Sequence, residues 1–176
     1  GNSMQIATLG GGCFWCVEAV FLAVKGVDKV VSAYAGGYTE NPSYRDICTG
    51  ETNHAEVIQI TFDENIVDFG TLLEVFFTIH DPTTLNRQGA DRGTQYRSVI
   101  YYHNNEQKEI AQDIINEKAS AFRDPIVTEL TALPEIYIAE SYHQNYFGKN
   151  PTDGYCNAVA APKVDKFRTK FSDLVK

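Results

Sequence analysis

The chain has 176 residues, with 15 Lys+Arg against 23 Asp+Glu, a formal net charge of −8. That length fits one domain and a core large enough to fold without a metal or a disulfide, since a chain of this size buries roughly 70% of its unfolded surface. Apolar residues at 43% and charged ones at 22% exclude a disordered or collagen-like chain, and the acidic balance disfavours a nucleic-acid or anionic-membrane binder.

No apolar run reaches the ~18 residues of a membrane span, and no signal-peptide pattern opens the chain. A cytoplasmic protein is therefore expected. Gly1, Asn2 and Ser3 read as a cloning scar before a native start at Met4. Residues 4–176 then form a single catalytic domain, with 148–176 as its tail.

The elements follow in chain order. Gln5–Leu9 predicts a strand that runs into Gly10-Gly11-Gly12. Phe14, Val17, Phe21 and Val24 share one face of a helix expected over 13–24. Val27–Ala35 predicts a second strand, and a long polar stretch runs from Gly37 to Asn53. The alternation in Glu56–Phe62 marks a third strand. Asp68 N-caps a helix to about Ile79, and a second polar loop covers 81–96. Arg97–Tyr102 is a strand. Asn104 or Asn105 caps a long helix that turns Ile110, Ala111, Ile114, Ile115 and Phe122 inward. Short β pieces are expected at 127–130 and 135–138, and helix over 140–147 and 162–175. The first six elements read β-α-β-β-α-β, so the expected fold is α+β with a ferredoxin-like split βαβ core, two long loops and an irregular C-terminal tail.

Chemistry concentrates at Gly-Gly-Gly-Cys-Phe-Trp-Cys, residues 10–16. A strand, a glycine turn and a helix start coincide there, which places Cys13 where unpaired N–H groups and the helix dipole favour a thiolate. The bland reading is a buried structural thiol. Phe14 lies on the apolar stripe, whereas Trp15 lies about 100° away from it, where it walls either an apolar pocket or a loop. Cys13 and Cys16 make half of a zinc site, but Cys48 and Cys156 stand alone and supply no second half, so no metal is expected. Glu56 opens an apolar strand; a carboxyl in such a place keeps its proton to higher pH and can serve as an acid. Walker A, GxSxG, dinucleotide and HExxH motifs are all absent.

Gly12-Cys13-Phe14-Trp15 resembles the signature of the A-type peptide methionine sulfoxide reductases. Gly36-Gly37-Tyr38-Thr39 with Asn41-Pro42-Ser43-Tyr44, His54-Ala55-Glu56, His80-Asp81-Pro82-Thr83, Gly93-Thr94-Gln95-Tyr96-Arg97-Ser98 and Tyr142-His143-Gln144 are similar to further blocks of that family, in the same order. The resemblance covers roughly residues 5–170. It implies reduction of methionine S-sulfoxide, free or in proteins, without a bound cofactor, one enzyme type serving each epimer. It implies Cys13 as nucleophile, Phe14 and Trp15 as holders of the substrate methyl, and Glu56 as the acid with Tyr44, Asp91 and Tyr96 around it. Cys156, in Gly154-Tyr155-Cys156, resembles the family's C-terminal resolving cysteine, and thioredoxin or a similar dithiol would restore the thiols.

Cys16 stands where many members carry glycine, so it is a second candidate resolver, one helical turn from Cys13. Cys156 follows a segment without periodicity. That segment is expected to be mobile, which would let Cys156 close the first disulfide with Cys13. A thiol–disulfide oxidoreductase built on Cys13-x-x-Cys16 is the competing reading. The bulky Phe14-Trp15 pair and the element order count against it.

Overall fold

The computed structural model describes residues 3–176. Gly1 and Asn2, part of the expected scar, lie outside the described residues. Among the described residues the fold is mixed α+β, with six α-helices around one six-stranded sheet and a separate two-stranded hairpin.

The chain runs β1 (Met4–Gly10), α1 (Phe14–Leu22), β2 (Val27–Ala35), α2 (Tyr44–Cys48), β3 (Ala55–Asp63) and α3 (Phe69–Ile79). It continues with the hairpin β4 (Arg87–Gln88) and β5 (Asp91–Arg92), then β6 (Val99–Tyr102) and α4 (Asn105–Lys118). Next come β7 (Glu129–Ala132), β8 (Ile136–Ile138), α5 (Tyr146–Lys149) and α6 (Ala161–Lys170). The large sheet has the order β7-β6-β1-β3-β2-β8. Its four central strands pair antiparallel; β8 joins β2 antiparallel and β7 joins β6 parallel.

Strand alternation gives the sheet two different faces. Ile58, Ile60 and Phe62 of β3 and Tyr34 of β2 join the main core with α1, α3 and α6. Ala33, Ala35, Ala55, Val57, Val99 and Tyr101 form a small second core on the other face. Glu56 has the parity of Ile58 and Ile60, so it projects toward α1 and not toward the neighbouring Val57.

Several expectations need correction. The 37–53 stretch contains α2, started by a capping box in which Ser43 Oγ accepts from Asp46 N–H (3.1 Å) and Asp46 Oδ2 accepts from Ser43 N–H (3.0 Å). The 81–96 loop folds into the β4–β5 hairpin. Helix α4 ends at Lys118, so Phe122 lies beyond it and packs outside its stripe. The helix expected over 140–147 is broken at Asn145, whose φ of 51° is left-handed, leaving only a short turn at Ser141–His143 before α5.

The tail is helical and not irregular. A π-helical turn over Cys156–Ala160 leads directly into α6, and Cys156, Ala160, Val164 and Phe167 bury one face. Among the described residues, no helix is long and apolar enough to cross a membrane.

Candidate active site

The site forms where β1 turns into α1. Gly12 has a φ of +89° and donates its N–H to the Tyr96 carbonyl (3.2 Å). A side chain at Gly11 would start 2.9 Å from the His80 ring, so the turn is pressed against α3 with no room for a Cβ. His80 is fixed in turn: its Nδ1 pairs with the Phe76 carbonyl and its Nε2 with Ser98 Oγ (2.8 Å). Burial pushes the His80 pKa down to about 4, so at neutral pH the ring is an uncharged prop.

Cys13 is the N-cap of α1, with its thiol almost wholly buried. The helix start was expected to favour a thiolate, and burial acts against that. Burial raises the Cys13 pKa well above the usual thiol value, and the contacts with Cys16 and Glu56 raise it further. Cys13 and Cys16 interact through their side chains. Cys16 moves the other way: its contact with Cys13 lowers its pKa first, against the cost of burial, and Lys163 adds to the lowering. Cys16 Sγ lies 4.0 Å from the Tyr155 hydroxyl, whose proton goes to Asp91 Oδ2. The two thiols, Asp91, Tyr155 and Lys163 line one cavity of about 130 Å³.

Glu56 faces Cys13 from β3, at 2% exposure. Its Oε1 accepts the Phe14 N–H (3.1 Å), the first free amide of α1. Desolvation dominates all the same: burial raises the pKa to about 8, the Phe14 bond opposes this, and Asp91 adds to it. Glu56 is therefore a neutral acid at pH 7. Tyr44 and Tyr96, both half-buried, keep their protons more firmly than usual, chiefly through burial and then through Glu56.

An aromatic wall stands beside these groups. Trp15 stacks on Tyr146 with ring centroids 3.8 Å apart, and its indole N–H donates to His143 Nδ1 (2.9 Å). His143 sits between Phe14, at 5.1 Å, and Tyr44, at 4.4 Å. Because Nδ1 accepts, the ring proton belongs on Nε2, which is buried with no hydrogen-bond partner among the described residues. Burial keeps this imidazole neutral.

Four supports hold the wall in place. Glu18, buried on α1, accepts from Tyr146 N–H (3.2 Å) and Ser32 Oγ (3.2 Å). Glu140 accepts from Tyr44 N–H (2.8 Å) and the Tyr34 hydroxyl (2.9 Å). Gln144 pairs with both backbone groups of Ser32. His54 accepts from Gly37 N–H (3.0 Å) and donates to the Thr39 carbonyl (2.6 Å), bracing the loop that delivers Tyr44.

The structure thus brings Cys13, Cys16, Phe14, Trp15, Tyr44, Glu56, Asp91 and Tyr96 together. Cys156 is placed differently from its expectation. It is completely buried in the π-helical turn, and burial raises its pKa to about 11, with Asp153 and then Cys16 adding to that. The mobile arm expected for it is absent. Cys48 lies exposed at the end of α2, in contact with Tyr44. Sequence reasoning missed His143, Tyr146, Tyr155, Glu18 and Lys163. Of these, only His143 and Tyr155 stood in blocks already singled out. Among the described residues, no three His, Cys, Asp or Glu side chains cluster as a metal would require.

A buried pair of thiols facing a protonated carboxyl defines a thiol-dependent oxidoreductase. The sequence profile described as peptide methionine sulfoxide reductase matches residues 5–175, and the chain belongs to that family. The peptide methionine sulfoxide reductase MsrA of Polynucleobacter asymbioticus is 56% identical over 98% of this chain and 92% of its own. Among solved structures, reduced Mxr1 from Saccharomyces cerevisiae superposes with a TM-score of 0.82 at 34% identity, over 85% of this chain and 87% of that one. Methionine sulfoxide reductase A of Corynebacterium diphtheriae gives 0.77 at 37% identity, over 86% and 77%. Mxr1 has also been solved in complex with Trx2, a structure 22% identical over 82% of this chain and 85% of that one, with a TM-score of 0.59.

Proposed function

We propose that this chain reduces methionine S-sulfoxide, free or within proteins, by attack of Cys13 on the sulfoxide sulfur while Glu56 protonates its oxygen. The observation that carries this reading is the neutral carboxyl of Glu56, fully buried and bonded to the amide next to Cys13. Sulfoxide oxygen is a poor leaving group until protonated, so the site needs a nucleophile and a neutral acid on either side of one S–O bond. Phe14 and Trp15 hold the methyl group, and Tyr44, Tyr96 and Asp91 surround the oxygen.

The proton balance closes through Cys16. As Cys13 attacks, its proton passes to Cys16, across the side-chain contact between them. Glu56 gives its proton to the oxygen as an S–S bond forms between Cys13 and the methionine sulfur. The hydroxyl then passes from the methionine sulfur to the Cys13 sulfur while that S–S bond breaks, methionine leaves with the electron pair, and Cys13 is left as a sulfenic acid. Cys16 then attacks the Cys13 sulfur: an S–S bond forms, the S–O bond breaks, and the hydroxyl leaves as water with the Cys16 proton. This differs from the resolver that the family resemblance favours. Cys16 interacts with Cys13 side chain to side chain, whereas Cys156 is buried and Cys16 is the thiol that acts on it. Cys156 therefore takes over the disulfide in a second exchange, which a thioredoxin-type dithiol ends. The Trx2 complex of Mxr1 supports that class of reductant.

The same reading takes β1, α1, β2, β3, α3 and β6 as a ferredoxin-like split βαβ core, because β3 lies between β1 and β2. It takes 4–176 as one catalytic domain.

Turnover of the two separated epimers of methionine sulfoxide with dithiothreitol tests the proposal. The S epimer should be consumed and the R epimer left. Equal consumption, or none, would reject it.

A further inference from the structure

Lys163 has no part in the chemistry described so far, yet it lines the thiol cavity with Cys13 and Cys16. It belongs to α6, and its side chain is held in one place. Its Nζ donates to the Ile79 carbonyl (2.7 Å), one of the unpaired carbonyls at the C-terminal end of α3. A cation at that position also complements the negative end of the helix dipole. Lys163 also borders a larger open groove with Gln88, Asp81, Arg123, Lys166 and Lys170, so it stands between the thiols and solvent.

The charges around the two thiols are distributed unevenly. Cys13 has the carboxyl of Glu56 on its far side. Cys16 is faced by Cys13 from the turn before α1, by Asp91 from β5, by Tyr155 and Cys156 from the tail and by Lys163 from α6. Lys163 is the one cation in that set. Its own neighbours are Cys16, Lys166, Asp91, Asp81 and His80, and burial pushes its pKa below the usual lysine value.

We propose that Lys163 is a positioning residue for the thiol chemistry: anchored on the Ile79 carbonyl at the wall of the cavity, its ammonium favours Cys16 as an anion, both when Cys16 takes up the Cys13 proton and when it gives that proton up to close the disulfide. The inference rests on the reading of Cys16 as the first resolving thiol. The anchor is what makes a flexible side chain effective here, because an ammonium free to swing into the open groove would leave Cys16 facing only Asp91, Tyr155 and two thiols. The burial that Cys16 shares with Cys13 disfavours an anion, so an uncompensated Cys16 would hold its proton.

The test follows disulfide closure after a single turnover of methionine sulfoxide, as a function of pH, in wild type and in Lys163→Gln and Lys163→Arg. Gln keeps a donor for the Ile79 carbonyl and loses the charge, while Arg keeps both. In Lys163→Gln the acid limb of the closure profile should move to higher pH, and Arg should return it toward wild type. Below the limb, closure should slow by about threefold per unit of movement, since lost thiolate is partly offset by the greater nucleophilicity of a more basic thiol. Above the limb, the Gln variant should equal or exceed wild type. A purely structural lysine would lower the melting temperature and the amplitude without moving the midpoint. An unmoved midpoint in folded Lys163→Gln overturns the inference.

Cys16→Ser tests the underlying reading separately. If that variant closes a disulfide as fast as wild type, with peptide mass spectrometry finding Cys13 joined to Cys156, the role of Cys16 falls and this role of Lys163 falls with it. Slow closure in Cys16→Ser with an unmoved midpoint in Lys163→Gln removes Lys163 alone.

Discussion

Cys13 and Cys16 stand three residues apart at one helix start, both buried, and the protein drives their acidities in opposite directions. Cys13 faces the carboxyl of Glu56. Cys16 shares a cavity wall with the Lys163 ammonium. The helix N-terminus is common to both and therefore does not distinguish them; burial and immediate partners do. The comparison teaches that a nucleophile need not rest as a thiolate. A protonated thiol beside a prepared acceptor keeps charge out of a dry site until the electrophile arrives.

The strongest way to break the comparison is to remove its first member. Cys13→Ser should abolish sulfoxide reduction even with excess dithiothreitol, because Cys13 is the thiol at the glycine turn, next to the Phe14 amide that holds Glu56. Substantial methionine production, measured by chromatography, would place the nucleophile elsewhere.

Glu56→Gln comes next. It preserves shape but cannot donate, so turnover should fall by ~10²–10⁴. The pH profile sharpens the point. The acid works only while protonated, so wild-type turnover should decline as pH rises through about 8, and the Gln variant should lack that limb. Stability carries the same sign. A carboxyl raised from 4.5 to about 8 stabilises the fold fully at low pH and loses that contribution as pH climbs through 8. Between pH 5 and 9 the melting temperature of wild type should therefore drop more than that of Glu56→Gln.

Trp15→Ala should produce a smaller loss. Removing the stacked pair with Tyr146 forfeits roughly 2- to 10-fold in kcat/KM, the scale of one aromatic contact beyond its buried area. If only the melting temperature changes, Trp15 is a packing residue.

The mildest variant is Tyr155→Phe, which removes one hydroxyl near Cys16. One hydrogen bond to a charged group is worth about 1.5–3 kcal/mol at most in a well-formed geometry, and a 4.0 Å contact to sulfur warrants less. Because Tyr155 gives its one proton to Asp91, the Cys16 alkylation rate at neutral pH should change by no more than about two- to threefold, with Cys13 unchanged by peptide mass spectrometry.

Much of this site could be read from the sequence wherever a local rule applied. Gly10-Gly11-Gly12 before Cys13 announces a turn and a helix start, and the alternation through Glu56–Phe62 announces a strand with a carboxyl at its head. Other local signals went unread. Ser43-x-x-Asp46 is a capping box that marks α2, and Cys156, Ala160, Val164 and Phe167 carry a helical period once cysteine is counted as apolar. What no local rule holds is the meeting of distant segments. Tyr146 reaches Trp15 because Glu18 binds its backbone, and Lys163 reaches the thiols because α6 packs across the end of α3. The acidity of Cys13 was misjudged for the same reason: the helix start is visible in sequence, while the depth of burial that overrides it belongs to the folded state.

The bond from Phe14 N–H to Glu56 has a consequence for handedness. It ties up Oε1, so the carboxyl presents its proton from Oε2 alone, in a single direction. A sulfoxide sulfur is pyramidal, with its oxygen, methyl and side-chain carbon in fixed rotation around it. Once the oxygen must meet one carboxyl atom, the methyl must meet Phe14 and Trp15, and Cys13 must approach the sulfur itself, the order of the three contacts is a chiral template. Under the proposed mechanism the mirror epimer satisfies any two of them but never the third, so a single backbone amide at the start of a helix would decide which epimer of oxidised methionine reacts.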